Sequence, residues 1–79
     1  MNGASPSLHD QTHLQADVKL IQPVYIVPDV QIGANCTIGP NVYLERGCSI
    51  GSWVTLRNTI VLRERSVVKG ETVIGKVIG

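Results

Sequence analysis

Residues 26–55 read IVPDVQ, IGANCT, IGPNVY, LERGCS and IGSWVT, five consecutive six-residue units that each open on Ile or Leu. The pattern extends both ways. Upstream lie LHDQTH, LQADVK and LIQPVY (8–25), and downstream LRNTIV, LRERSV, VKGETV and IGKVIG (56–79). Leu, Ile and Val supply 25 of the 79 residues. Finding one of them at all twelve opening positions by chance has odds on the order of one in a million. The fifth position forms a second column of apolar or small residues: Val18, Val24, Val30, Cys36, Val42, Cys48, Val54, Ile60, Ser66, Thr72 and Ile78. So short a fixed period marks a solenoid.

Side chains alternate across a strand, so the fifth and first positions face one way and the sixth, between them, faces the other. Each unit is then a very short strand plus a corner. Three units close a turn of 18 residues, and successive turns stack about 4.8 Å apart. The corners fit. Asp17, Asp29, Asn35, Asn41 and Gly47 occupy the fourth position, where a left-handed backbone is cheapest for Asp, Asn or Gly. Pro23, Pro28 and Pro40 fall at third or fourth positions, where a lost N–H breaks no ladder. At Asn58 and Gly70 the turn residue comes one place early, which predicts less regular final turns. A helix is excluded because residues six apart lie about 240° apart around it and form no single apolar stripe. The expectation is an all-β parallel solenoid of three to four turns. The period alone leaves its hand open.

Seventy-nine residues make one domain with a thin core and two raw strand ends, which favours association with another copy or another domain. Seven basic and six acidic residues give a net charge of +1, which removes the electrostatic case for nucleic acid or an anionic membrane as partner. Arg57, Arg63, Arg65 and Lys69 cluster late, but Glu64 and Glu71 are interspersed, so a solvated face is the plainer reading than a phosphate site. Cys36 and Cys48 sit twelve residues apart at inward positions on different sides of the coil. They read as small core fillers, neither a disulfide nor a metal pair. The absence of a leader-like or membrane-spanning run leads to the expectation of a cytoplasmic protein with free thiols. Residues 1–13 are polar and read as a loose arm or irregular first turn, with residues 14–79 as the solenoid domain.

Outward sixth positions 18 apart share a side. One side carries Tyr25, Tyr43 and Val61, with Val27 beside them; the second carries His13, Gln31, Ser49 and Val67; the third carries Lys19, Thr37, Thr55 and Val73. Two stacked tyrosines above a valine form an apolar stripe and the candidate oligomer interface. The blander alternative is a pair of half-exposed tyrosines shielding backbone. Trp53 falls at a corner one turn after Asn35 and joins the candidate interface as a residue able to cover a neighbour's surface or its own corner.

The run from Pro23 to Val68 resembles the C-terminal left-handed β-helix of sugar-1-phosphate nucleotidyltransferases, of the glucose-1-phosphate thymidylyl- or uridylyl- and mannose-1-phosphate guanylyltransferase type. PVYI (23–26), IGANCTIGPNV (32–42), RNTIVL (57–62) and the closing VIGKVIG (73–79) carry the resemblance. Val27 departs from it, standing where a glycine usually follows PVYI. The resemblance implies a left-handed parallel β-helix of hexapeptide repeats that holds subunits together and carries regulatory contacts. It implies a homo-oligomer, a trimer first, and a catalytic nucleotide-binding domain elsewhere. Phosphoryl transfer needs a glycine-rich phosphate loop with a basic residue and acidic ligands for Mg²⁺. This sequence contains neither. The expectation is therefore no catalytic residue, no cofactor and no metal in this chain.

Two enzymatic alternatives share the hexapeptide solenoid. A hexapeptide acyltransferase uses a histidine base and a loop protruding from the coil; here the only histidines are His9 and His13, and no loop interrupts the units after residue 14. A γ-type carbonic anhydrase needs three histidines around zinc, and this chain has two.

Overall fold

The computed structural model describes the backbone of residues 13–14 and the whole of residues 17–79. Among the described residues twelve short strands follow one another: β1 (His13–Leu14), β2 (Lys19–Leu20), β3 (Val24–Ile26), β4 (Gln31–Ile32), β5 (Thr37–Ile38), β6 (Val42–Leu44), β7 (Ser49–Ile50), β8 (Thr55–Arg57), β9 (Thr59–Val61), β10 (Ser66–Val67), β11 (Thr72–Ile74) and β12 (Val77–Ile78). Every third strand joins the same sheet. Sheet A runs β1-β4-β7-β10, sheet B β2-β5-β8-β11 and sheet C β3-β6-β9-β12, all pairings parallel. The result is a three-sided β-solenoid of about four turns with no helix among the described residues. The expected arm over residues 1–13 lies outside the described residues, except that the backbone of His13 pairs with Gln31.

Turns are stitched by backbone bonds between rungs, such as Lys19 N–H to Cys36 O at 2.8 Å and Thr37 N–H to Val54 O at 2.9 Å. Strands of two or three residues close no local ladder of their own. Nearly all their backbone polarity is met by the turn above or below, so each turn depends on its neighbours.

The corners are left-handed where the fourth positions predict. Asp17, Asp29, Asn35 and Asn41 have φ of 62°, 67°, 62° and 63°, and Gly47 has 79°. Trp53 joins the column of Asp17 and Asn35 with φ 62°, an uncommon conformation for so bulky a residue. Gly33 and Gly51 thin the wall at a close approach between rungs. A Cβ on Gly33 would stand 2.6 Å from the Ser52 amide nitrogen, and one on Gly51 2.6 Å from that of Lys69.

The core is a filled column. Val24, Ile26, Val30, Ile32, Cys36, Ile38, Val42, Leu44, Cys48, Ile50, Val54 and Leu56 are all buried, each at a first or fifth position. Past residue 57 the six-residue frame breaks, and this corrects the sequence reading. Gln31 pairs with Ser49, 18 residues on, whereas Val42 pairs with Thr59, 17 residues on. Two residues, Arg57 and Asn58, span a corner that takes three, Gly39, Pro40 and Asn41, one turn earlier. Side chains alternate along a strand, so losing one corner residue reverses the facing of the strands that follow, β9 to β11. A second two-residue corner, Ile74 and Gly75, restores the original facing in β12, where Ile78 packs against the core and Val77 is exposed. Val61 and Val67 are buried, and Val73 packs against the core in place of Ile74. Ile60, Val68 and Ile74, expected inside, are exposed. Thr59 takes the inward place expected of Ile60 and is fully buried; its hydroxyl donates to Arg57 O at 2.7 Å.

Candidate interaction face

Sheet C is the side on which the frame shift matters most. Its paired residues place Tyr25 beside Tyr43, Tyr43 beside Ile60 and Ile60 beside Val77, one per rung. All four point outward, with exposures of 63%, 38%, 40% and 64%. They form one apolar column running the height of the solenoid. The equivalent column on sheet B is Lys19, Thr37, Thr55 and Thr72, and on sheet A beyond His13 it is Gln31, Ser49 and Ser66. Among the described residues sheet C is thus the side whose outward column is apolar on every rung, while the other exposed apolar side chains, Ile21, Trp53, Val68 and Ile74, stand at corners and in the last strand of sheet B.

The structure treats the expected interface residues differently. Tyr25 and Tyr43 stand together in the column. Val61 does not: its side chain is fully buried in the core, because the shortened corner at Asn58 turned it inward and brought Ile60 out. Val27 is half-buried against the core. Trp53 is 64% exposed but lies on the corner between β7 of sheet A and β8 of sheet B, across the prism from sheet C. Ile60 and Val77 were missed. The early turn residue at Asn58 was the signal that could have found Ile60; Val77 depends on a second short corner, at Ile74 and Gly75, which steps the frame again.

Chemistry is sparse elsewhere. Cys36 and Cys48 are free thiols in the core. Cys48 Sγ donates to Glu45 O at 2.7 Å, and burial pushes its thiol up from the ordinary range, so the reactive thiolate is disfavoured. Glu45 Oε1 accepts from the Arg63 amide at 3.0 Å, which ties neighbouring rungs at the corner beside Tyr43. Among the described residues no three of His, Cys, Asp and Glu converge as a metal ion would require. His9 lies outside the described residues, and the side chain of His13 does too. No helix among the described residues is long and apolar enough to cross a membrane.

Comparison with known proteins fits this architecture. A family model described as the GMPPB C-terminal domain matches residues 20–79, three quarters of the chain. No curated protein and no solved structure matches it. With its stacked parallel rungs and this match, the chain belongs to the family of GMPPB C-terminal domains, of the mannose-1-phosphate guanylyltransferase type.

Proposed function

We propose that this chain is a non-catalytic assembly and regulatory module of a nucleotidyltransferase of the mannose-1-phosphate guanylyltransferase type, acting in nucleotide-sugar biosynthesis in the cytoplasm. Its work is to hold copies of itself together through sheet C and so to position catalytic nucleotide-binding domains, on the same chain or a separate one. The observation that carries this reading is the column Tyr25, Tyr43, Ile60 and Val77, apolar on every rung. Water-exposed apolar surface concentrated on one face of a small domain favours burial against another surface. The interior lends support from the other direction. Among the described residues it is packed with aliphatic side chains, two thiols and Thr59, so the interior offers no space to enclose a nucleotide. The buried free thiols accord with a reducing compartment.

Sedimentation equilibrium over a concentration series tests the assembly part. The average mass should rise above that of one chain as concentration increases. A single monomeric species up to several hundred micromolar would defeat the proposal.

A further inference from the structure

We infer that the occupant of sheet C is a second copy of this chain, packed with its solenoid axis antiparallel about a two-fold axis between the second and third rungs. This rests on the assembly reading above and goes beyond it by fixing orientation and number, a dimer in place of the trimer first expected.

Side-chain volume along the column carries the inference. From the first rung to the last it reads Tyr25, Tyr43, Ile60, Val77, large at one end and small at the other. A tyrosine side chain reaches about 4 Å farther from its Cα than a valine does. If two copies met rung for rung in parallel, tyrosine would oppose tyrosine at one end and valine oppose valine at the other. The faces would then splay by about 8 Å over three rungs of about 4.8 Å, leaving a wedge-shaped void. Interfaces pack as densely as protein interiors, and a void forfeits the contacts that would line it. The antiparallel arrangement removes the wedge. Tyr25 opposes Val77 of the second copy and Tyr43 opposes its Ile60, so each level pairs one ring with one aliphatic side chain. The same two pairs recur on the other side of the axis, as a self-complementary two-fold interface requires.

The exposures follow the same pattern. Tyr25 and Val77, at opposite ends, are the most open members at 63% and 64%, while Tyr43 and Ile60, astride the proposed axis, are shallower at 38% and 40%. The column is symmetric in exposure and graded in size, which suits a surface meeting its own inverted image. Four rungs of about 4.8 Å by roughly 18 Å of width give about 350 Å² per copy, under half of a standard patch of about 800 Å². The dimer is therefore weak, and its association is read at hundreds of micromolar.

Charge pairing tests the arrangement. Tyr25 and Val77 lie three rungs apart in one chain, about 14 Å, too far to compensate each other within it. Tyr25→Glu and Val77→Lys are each expected to weaken self-association at least tenfold by sedimentation equilibrium. Both positions are exposed, so circular dichroism should report an intact fold. An equimolar mixture of the two variants should recover association to within about threefold of the wild type, because the two-fold sets Glu against Lys and leaves the second pair native. The double variant Tyr25→Glu/Val77→Lys should also associate more tightly than either single one. A mixture no better than its components, or a double variant weaker than both, overturns the antiparallel two-fold while leaving assembly standing, as does a trimeric mass. A wild-type chain that stays monomeric overturns both.

Discussion

Replacing Val61 and Val68 separately by alanine tests the break in the six-residue frame. An unbroken frame from residue 8 to 79 puts Val68 in the core and Val61 on the surface. The structure reverses this, with Val61 fully buried and Val68 64% exposed. Val→Ala removes two carbon groups. Their transfer is worth about 0.8 kcal/mol each, or about 1.6 kcal/mol at a fully buried site. The cavity left in a column held by backbone ladders on every side adds to this, giving about 2–2.5 kcal/mol for Val61→Ala. The same change at Val68 should cost under about 0.5 kcal/mol. Urea unfolding followed by far-ultraviolet circular dichroism separates the two. With an m-value of about 1 kcal/mol/M for a chain this size, Val61→Ala should lower the midpoint by about 2 M, and Val68→Ala by under about 0.5 M. A matched pair, Val67→Ala and Ile74→Ala, should follow the same order, since Val67 is buried and Ile74 exposed. If Val68→Ala proves the more damaging substitution, the corner at Asn58 is not shortened, and Ile60 loses its place on sheet C.

Other outcomes follow from the corners and the core. Gly51→Ala should destabilise by about 1–3 kcal/mol in the same urea assay, because its Cβ would meet backbone atoms of Lys69 at 2.6 and 2.9 Å that are fixed by the next rung. Asn58, with φ 49°, tests the short corner itself: Asn58→Ala should cost about 1–2 kcal/mol while Asn58→Gly stays within about 1 kcal/mol of the wild type. Alanine and glycine equal in effect would show that the left-handed backbone is not what holds that corner. Because burial raises the Cys48 thiol above its unfolded value, its contribution to stability is complete below the unfolded pKa and fades as pH rises through the higher folded one. Wild type minus Cys48→Val unfolding free energies should therefore be flat near neutrality and fall in the alkaline range; a flat difference throughout would show that the thiol is not shielded. Both Cys36 and Cys48 should react with a thiol reagent only at the rate of unfolding, and rapid labelling of the native protein would contradict their burial.

The sequence determined the architecture. A column of Leu, Ile and Val every six residues, with Asp, Asn and Gly at the fourth position, admits a three-sided coil and little else, because side-chain alternation and corner backbone preference are local properties. That local chemistry placed Tyr25 and Tyr43 on one side and Cys36 and Cys48 inside. What only the tertiary structure decided was the facing of residues beyond 57. There the chain reads Val61-Leu62, Val67-Val68 and Val73-Ile74, an aliphatic residue at both of two successive places, so the apolar pattern satisfies either frame. The decision fell to the Asn58 corner, whose length is set by how Thr59 pairs with Val42 on the turn before. That is a contact across 17 residues. A one-residue step there reverses inside and outside from β9 to β11, because strand alternation has a period of two, until the short corner at Ile74 and Gly75 steps the frame again and returns Ile78 to the core in β12.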